Sequence, residues 1–514
     1  MNCRRISSTS CIALGSALLA GLGGCAEYPF FPVSGARVVS SAAGGVFGIS
    51  GAPFTEALIQ ERTFTDGSAV TTVFHQPGDR TRTPLGIDFN LDGKIDPVVA
   101  YAQRSGGVLQ ILLSKGEVGE ASFTPLTLDG NGRWKDLSDV AVGDIDGDGA
   151  LDLVGASEDG VIYLHNPGPG LTSVLRDWGS ESADLEFLAG STDTLTNDEI
   201  EAIITQLLPP GVNIEDYEVT LDQGYTQVEI ADLDLNGSND VVSSRRFNLL
   251  LTPKSTSSNL EPIEIIAGEL QLFVNPGGAT DGSGWELISL GDHERFAGEL
   301  DRQGAAGLLA YDFDGDGDMD LVSAARDDEN VQITWFEHPG AASFRDKANW
   351  VAWRVGSLRD AIALDIADLT ADGRADVVAV GAEQQQLVLF EQPATGPKRE
   401  FDWDAYPIVT FEAYQPLDVK ALDLDFDGQL ELVLAGTEGA VRYFEATSDP
   451  RAEWQGVVVL NFDAPGAVGL LGYGDLDGDG DLDLVAVLND DDAGNDVADR
   501  VVWIRNEASL LDAR

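Results

Sequence analysis

The sequence predicts an all-β protein folded as a seven-bladed β-propeller. The main observation is a short acidic motif that recurs seven times along the 514 residues. Its first residue stands at positions 88, 144, 232, 312, 368, 423 and 475, and four of the six intervals span 52 to 56 residues. Each motif leads into a run of aliphatic residues, which is typical of a buried strand. Repetition at this period indicates a series of similar units, each with about four strands.

We number the motifs as loops 1 to 7 in chain order. Each reads Asp, any residue, then Asp, Asn or Thr, any residue, Asp or Asn, Gly, two residues, and finally Asp or Glu. Positions 1, 3, 5 and 9 are the candidate metal ligands. They are Asp88, Asn90, Asp92 and Asp96; Asp144, Asp146, Asp148 and Asp152; Asp232, Asp234, Asn236 and Asp240; Asp312, Asp314, Asp316 and Asp320; Asp368, Thr370, Asp372 and Asp376; Asp423, Asp425, Asp427 and Glu431; and Asp475, Asp477, Asp479 and Asp483.

Oxygen-rich loops of this kind suit calcium, a hard cation that takes about six to eight oxygen ligands. Side chains at positions 1, 3 and 5 are expected to point inward, and the glycine at position 6 permits a sharp turn. Position 7 offers a backbone carbonyl, and position 9 closes the ligand set from the next strand. The alternative is that the Asp-Gly pairs only form tight turns. Because acids packed this closely would repel one another without a cation, we predict up to seven calcium ions.

Further strands follow each predicted buried strand. An aromatic strand comes first and ends in a turn, as at 163–168 and 335–340, and another strand follows, as at 351–355. The last unit stops after its third strand, near Trp503. The segment 70–75 precedes loop 1 at the spacing of an outer strand. We therefore predict that it completes the seventh blade as its outer strand, which would close the ring and leave few exposed edges.

The first 24 residues have the features of an export signal. Arg4 and Arg5 precede an apolar stretch at 11–22, which is too short to span a bilayer. The small residues before Cys25 resemble a bacterial lipobox, which implies cleavage before this cysteine and a lipid on its thiol. An ordinary signal peptide with an incidental cysteine is the alternative. With Ala26 next, the resemblance favours the outer membrane or cell surface, and residues 25–69 are interpreted as a tether.

The acidic loops and the aromatic turns resemble the FG-GAP/VCBS repeat family, whose fold is the propeller also found in the head of integrin α subunits. The resemblance covers roughly residues 70–506. It implies the propeller and calcium binding but no particular function, because members include adhesion proteins, lectin-like modules and accessory domains of secreted enzymes. Asn236, Thr370 and Glu431 depart from the loop consensus.

Two insertions lengthen the intervals on either side of loop 3. The first, at about 175–225, contains a capping box that begins at Thr196, and Ile200 and Ile204 follow at helical spacing. This short helix either packs on its own blade or docks a partner. The second, at about 246–262, is polar and predicts a long hairpin loop. Residues 507–514 form a C-terminal tail.

Composition and the scarcity of catalytic motifs restrict the function. The 87 acidic and 31 basic residues give a net charge of -56, which excludes nucleic acid as a partner because phosphate binding needs basic patches. No zinc-binding spacing, Ser-His-Asp order or phosphate loop stands out, and His165 and His338 fall in the repeated turn, where a structural role is expected.

The sequence thus predicts a calcium-binding, membrane-anchored scaffold outside the cytoplasm that recognises a protein or a glycan. The alternative is a secreted carbohydrate-active enzyme, a lyase or hydrolase built on a propeller. A third possibility is a subunit of an outer-membrane assembly.

Overall fold

The computed structural model describes residues 38–39, 54–62, 67–73 and, with gaps, 87–506. The gaps are 104–105, 116–121, 136, 169, 179–185, 194–199, 202–203, 205–212, 255–259, 291–304, 326–332, 360, 382–384, 398–401, 412–415, 426, 437–439, 463–466 and 490–498. The predicted signal peptide and Cys25 lie outside the described residues. Within the described ranges, no helix has the length and hydrophobicity needed to cross a bilayer.

Strands dominate the described chain, with three short 3-10 helices at Leu175–Trp178, Ile214–Asp216 and Lys347–Asn349. The strands are β1 (Val38–Val39), β2 (Phe54–Arg62), β3 (Gly67–Val73), β4 (Val98–Gln103), β5 (Val108–Ser114), β6 (Phe123–Asp129), β7 (Asp139–Gly143), β8 (Asp152–Ala156), β9 (Val161–Leu164), β10 (Tyr217–Ala231), β11 (Asp240–Pro253), β12 (Ile263–Val274), β13 (Glu286–Ser289), β14 (Ala305–Tyr311), β15 (Asp320–Ala325), β16 (Ile333–Glu337), β17 (Val351–Gly356), β18 (Ala361–Ala367), β19 (Asp376–Gly381), β20 (Gln386–Glu391), β21 (Asp404–Thr410), β22 (Pro416–Leu422), β23 (Glu431–Gly436), β24 (Ala440–Glu445), β25 (Gln455–Phe462), β26 (Ala467–Gly474), β27 (Asp483–Asn489) and β28 (Asp499–Asn506).

These strands pair into seven sheets, which we number in chain order. The sheets are β3-β4-β5-β6, β7-β8-β9, β10-β11-β12-β13, β14-β15-β16-β17, β18-β19-β20-β21, β22-β23-β24-β25-β1 and β26-β27-β28-β2. The first strand of each sheet contacts the first strand of the next, and β26 of the seventh sheet contacts β3 of the first. The protein is therefore an all-β propeller, with 50% of its residues in strands and 4% in helices.

The core lies between neighbouring sheets. In β19, Val377 belongs to a cluster shared with the fourth sheet, whereas the next residue, Val378, belongs to a cluster shared with the sixth. All six residues of β19 are buried. Because successive side chains of a strand point to opposite faces, a strand covered on both faces favours apolar residues at successive positions, here Val377 to Val380 after the buried Asp376. This explains the continuous aliphatic run that follows each acidic loop.

The strand that completes the seventh sheet differs from the predicted one. The segment 70–75 was expected there, but its residues up to Val73 belong to β3, which pairs with β4 as the first strand of the first sheet. The outer place is taken by β2, with Phe54 opposite Asn506. The spacing was misleading because the other first strands end directly at their loops, whereas β3 ends at Val73 and loop 1 begins at Asp88.

Part of the segment interpreted as a tether is also paired. In addition to β2, the two residues of β1 lie along β25 at the edge of the sixth sheet, with Val38 opposite Phe462. An edge strand exposes unpaired backbone groups, and β1 covers part of one such edge. Two short stretches of residues 25–69 therefore add strands to the last two sheets.

The third sheet is longer than the others. Its strands β10, β11 and β12 have 15, 14 and 12 residues. The expected loop at 246–262 was therefore wrong in extent, since β11 continues to Pro253 and β12 begins at Ile263. In the first insertion, Ile200, Glu201 and Ile204 are helical. Ile204 is buried against Tyr217 and residues of β11, so these helical residues pack on their own sheet.

Candidate metal-binding loops

Each acidic loop joins the first strand of its sheet to the second. Side chains connect loop 3 to the sheets on both sides of it. Asn239 of loop 3 donates from Nδ2 to the carbonyl oxygen of Asp144 in loop 2, at 2.7 Å. Arg345 of the fourth sheet donates from Nη2 to Asp234 Oδ2 of loop 3, at 3.0 Å. Loops 2 and 3 are therefore adjacent, and loop 3 also contacts the connection between β16 and β17.

The first aspartate of each loop holds the turn. Its Oδ2 accepts a hydrogen bond from the backbone N–H of the glycine at position 6 in all seven loops. The donor–acceptor distances are 2.6 Å for Gly93, 3.0 Å for Gly149, 2.9 Å for Gly237, 3.0 Å for Gly317, 2.8 Å for Gly373, 3.2 Å for Gly428 and 3.1 Å for Gly480. These glycines have φ between 84° and 97°, a left-handed conformation that favours glycine. The expected sharp turn is present in every loop.

The acid at position 9 is buried and bonded to the backbone on both sides. In loop 4, Asp320 is 1% exposed. Its Oδ2 accepts from the N–H of Phe313 at 3.0 Å, and its Oδ1 accepts from the N–H of His338 at 2.8 Å. Six of the seven loops repeat both bonds, and in loop 6 Glu431 Oε2 accepts from Leu424 N–H at 2.8 Å. This acid therefore joins its loop to the third strand, a role that the sequence pattern did not indicate.

Burial disfavours the charged form of these acids. Desolvation raises the pKa of Asp96, Asp240 and Asp320 to about 7. The hydrogen bonds from backbone N–H groups lower the pKa of these acids, but the effect of desolvation is larger. The same cause raises the pKa of Glu431 to about 8 and that of Asp483 to about 9. A cation close to these carboxylates would favour their charged form.

Several loops bring their carboxylates close together. In loops 2, 3 and 6, one carboxylate oxygen from each of positions 1, 3 and 9 lies within 4.8 Å of the other two. In loop 4, the three oxygens that lie within this distance come from positions 1, 3 and 5. Three convergent carboxylates form the hard, negatively charged oxygen set that calcium prefers. The donor chemistry of these four loops therefore fits calcium, and Glu431 takes the place of an aspartate in loop 6 without loss of the arrangement.

The remaining loops are less alike, because some contain their own cationic side chains. In loop 7, Arg505 Nε lies 2.7 Å from Asp477 Oδ2, and its Nη2 lies 3.5 Å from Asp479 Oδ2. In loop 5, where Thr370 stands at position 3, Arg374 pairs with Asp372 at position 5. In loop 1, the N–H of Asp92 donates to Asp88 Oδ1 and to Asn90 Oδ1, and loops 3 and 4 make the same pair of bonds from their fifth residue. Asn236 of loop 3 accepts from Ser238 N–H at 2.7 Å.

A second set of residues, which the sequence reasoning passed over, connects loops 2, 4 and 6 to the next sheet. Asn275, Gln392 and Asn506 lie at the ends of the third strands of the third, fifth and seventh sheets, and we call them the latch residues. Their side-chain amides donate to the carbonyl oxygen at position 2 of the preceding loop, at 2.8 Å, 3.0 Å and 2.8 Å. Three of the turns expected only to end a strand therefore hold neighbouring sheets together.

Comparison with known proteins agrees with the repeat pattern. The family model described as "FG-GAP-like repeat" matches residues 88–173, 312–379 and 423–486, so the chain carries FG-GAP-like repeats in these three regions. No curated protein matches the sequence significantly.

Three solved structures are similar to this chain over most of its length. Sqt1 of Chaetomium thermophilum, solved bound to the N-terminus of ribosomal protein L10, has 13% identity and a TM-score of 0.41, over 88% of this chain and 99% of that one. The Dos1 propeller has 10% identity and a TM-score of 0.39, over 88% and 95%. YCF48 of Cyanidioschyzon merolae has 9% identity and a TM-score of 0.41, over 87% and 99%.

Proposed function

We propose that this propeller is a calcium-binding scaffold that recognises a protein or glycan ligand outside the cytoplasm and is held at a membrane by a lipid on Cys25. The observation that carries the calcium part is the convergence of three carboxylate oxygens within 4.8 Å in several loops of one propeller. Bound calcium would neutralise acids that otherwise repel one another and would stiffen the loop end of the ring.

The loops differ in how well their residues would hold calcium. Loop 4 is the strongest candidate, because the oxygens of Asp312, Asp314 and Asp316 converge there and Asp320 accepts from the N–H of Phe313 within the same loop. Loops 2, 3 and 6 follow, since each brings three acids together. In loop 7 the guanidinium of Arg505 already faces two of the acids. We therefore infer that the loops bind calcium with different affinities, and that fewer than seven ions bind tightly.

The seven sheets and their cyclic contacts support a seven-bladed ring that β2 closes at the outer edge of the seventh sheet. A rigid ring of this kind presents its connecting loops at two ends, which suits a binding scaffold. The absence of a convergent nucleophile and base among the sequence motifs favours binding over catalysis.

Calcium titration of the purified chain, followed by calorimetry and by melting with and without chelator, tests the metal part. We expect several bound ions and a higher melting temperature in calcium, because a ligand that binds only the folded state stabilises it. Asp314→Asn removes one carboxylate of loop 4, and Glu453→Gln removes an equally charged but exposed group outside the loops. The first should lower the number or affinity of bound ions and the second should not. Unchanged melting and no binding heat would overturn the proposal.

The membrane part is tested separately. Cells that express the chain are given a radiolabelled fatty acid, and the label on the protein is compared with that on a Cys25→Ser variant. We expect label only on the chain that retains Cys25. Label that persists in the variant would show that this cysteine is not the lipid attachment site.

A further inference from the structure

The third sheet leaves part of one strand edge uncovered. In the first, fourth, fifth, sixth and seventh sheets, the fourth strand pairs with every residue of the third strand. In the third sheet, β13 pairs only with residues 271–274, the last four of the 12 residues of β12. In the described part of the chain, residues 263–269 therefore lie along β11 on one side and along no strand on the other. We call this stretch the open edge.

The backbone groups that the open edge presents can be identified from one hydrogen bond. The N–H of Leu290 donates to the carbonyl oxygen of Leu270 at 2.8 Å, so Leu270 directs its backbone groups away from β11. In an antiparallel strand the N–H and C=O of a residue point to the same side, and successive residues alternate between the two sides. The pairing of β11 with β12 has no bulge that would interrupt this alternation. Glu264, Ile266 and Gly268 therefore direct their N–H and C=O groups outward, where no described strand pairs with them.

The sequence of the open edge is suited to pairing with a further strand. It begins Ile263-Glu264-Ile265-Ile266, and β-branched residues are enriched in strands. Proteins commonly protect an edge strand with lysine, proline or a bulge, or by keeping it short. The open edge contains neither lysine nor proline, and its pairing with β11 is regular. An added strand of ordinary length, about five or six residues, fits along it.

The open edge lies at the end of the third sheet opposite loop 3. Loop 3 joins the end of β10 to the start of β11, whereas the open edge pairs with the last part of β11. This part of the sheet has a hydrophobic cluster of its own, in which Ile204 packs with Leu249 and Leu251. The edge is therefore supported from beneath, and a partner that binds there pays little to order it.

The charge around the open edge indicates what kind of chain pairs with it. Exposed charged side chains on the extended part of the third sheet are mostly acidic; they are Glu215, Asp216, Glu218 and Glu261, with Lys254. Glu264 and Glu269 of the open edge are acids, and no basic residue stands between them. A second copy of this chain would bring another net charge of -56 to the same place. Opposite charges across two strands stabilise their pairing, whereas like charges destabilise it, so a basic partner is favoured over a second copy.

We propose that the open edge of β12 binds an extended, basic segment of a partner protein as an additional antiparallel or parallel strand. The main-chain groups of Glu264, Ile266 and Gly268 would pair with the segment, and lysine or arginine side chains of the segment would face the surrounding acids. This inference rests on the proposed recognition of a protein ligand and names the surface that performs it. It does not depend on calcium, because the open edge is remote from loop 3 along β11.

The test is hydrogen exchange of the full chain in calcium, resolved to single amides, with and without a synthetic decapeptide of alternating lysine and valine. In the free chain, we expect the outward N–H groups of Ile266 and Gly268 to exchange rapidly. Those of Leu249 and Leu251 should exchange slowly, because β11 is paired on both sides. Saturating peptide should slow the first pair at least about 10-fold and leave the second pair unchanged. A decapeptide of alternating glutamate and valine is the matched control and should slow neither.

Variants of the open edge separate main-chain pairing from side-chain contacts. Ile266→Pro removes an outward N–H and no bond to β11, a position where strands tolerate proline. It should weaken binding of the fluorescently labelled lysine peptide at least about 10-fold, whereas Ile266→Ala, which keeps the N–H, should weaken it much less. Glu264→Lys leaves the backbone intact and should weaken binding about 3-fold to 10-fold. Melting curves identify a variant that fails to fold, in which case Glu264→Lys still tests the inference.

Three results would overturn the inference. Slow exchange of Ile266 and Gly268 in the free chain would mean that the edge is already covered, and sedimentation would then distinguish a second copy from another part of the same chain. Exchange that the lysine peptide leaves unchanged, or that the glutamate peptide slows equally, would also refute a basic partner strand. Calcium binding is measured separately by titration. A chain that binds calcium but not the lysine peptide contradicts this inference alone, and a chain that binds the peptide but not calcium contradicts only the calcium part of the proposed function.

Discussion

Replacing Asn506 with alanine should destabilise loop 6. Asn506 contacts Leu424 of this loop, which lies 82 positions earlier in the chain. Asn506 is fully buried, and its Nδ2 donates to the carbonyl oxygen of Leu424 at 2.8 Å. Truncation to alanine removes a hydrogen bond that contributes about 1 kcal/mol and leaves a buried carbonyl without this donor, at a cost of about 1–3 kcal/mol. We therefore expect the local opening free energy of loop 6 to fall by about 2 kcal/mol.

Hydrogen exchange of the Leu424 amide measures this opening, since that N–H is bonded to Glu431 Oε2 inside loop 6. A fall of about 2 kcal/mol corresponds to roughly 30-fold faster exchange. Asn166→Ala is the matched control, because Asn166 donates at 2.9 Å to Leu151 within its own sheet. Equal exchange at Leu424 in Asn506→Ala and in the unmodified chain would refute the reasoning, and so would equal acceleration in the control.

Three further predictions test the loops and the core. Arg505→Leu removes the cation that faces two acids of loop 7, so calorimetry should detect one additional or tighter calcium ion, and an unchanged titration would contradict this. A raised pKa, such as about 8 for Glu431, means that the folded state binds the proton more tightly than the unfolded chain. The stabilisation that results is complete when the pH is below the ordinary pKa of a glutamate, and it disappears as the pH rises through the raised pKa. In chelator, the free energy of unfolding should therefore fall between pH 5 and about 8, and bound calcium should reduce this fall. Gly356→Ala would place a Cβ 2.2 Å from Phe390 Cε1 and should cost about 1–3 kcal/mol in urea unfolding, whereas Gly170→Ala, with open space around it, should cost little.

The loops could be predicted from the sequence because their requirements are local. The glycine at position 6 and the aspartate at position 1 are five residues apart and bond to each other, so the conformation of the loop follows from its own short sequence. The buried runs could be predicted for the same reason, as in β19. The first strand of the first sheet could not be assigned correctly, because its separation from loop 1 equals that of an outer strand elsewhere and no local signal distinguishes the two.

The parts of the site that sequence reasoning missed depend on contacts between distant residues. Arg505 meets Asp479 at a separation of 26 residues, and the latch residue Gln392 meets Phe313 at a separation of 79. These partners become visible only when the sheets are placed side by side, since nothing in an arginine or glutamine after a strand indicates which loop it will face. The acid at position 9 illustrates the same limit. In loop 4, Asp320 accepts hydrogen bonds from the backbone N–H groups of Phe313 and His338, and the second of these lies 18 positions away. In loops 2, 3 and 6 the acid at position 9 is also one of the converging candidate metal ligands. The repeated motif therefore predicts where carboxylates converge, whereas the non-repeated residues around it, such as Arg505, differ from loop to loop and become apparent only in the folded protein.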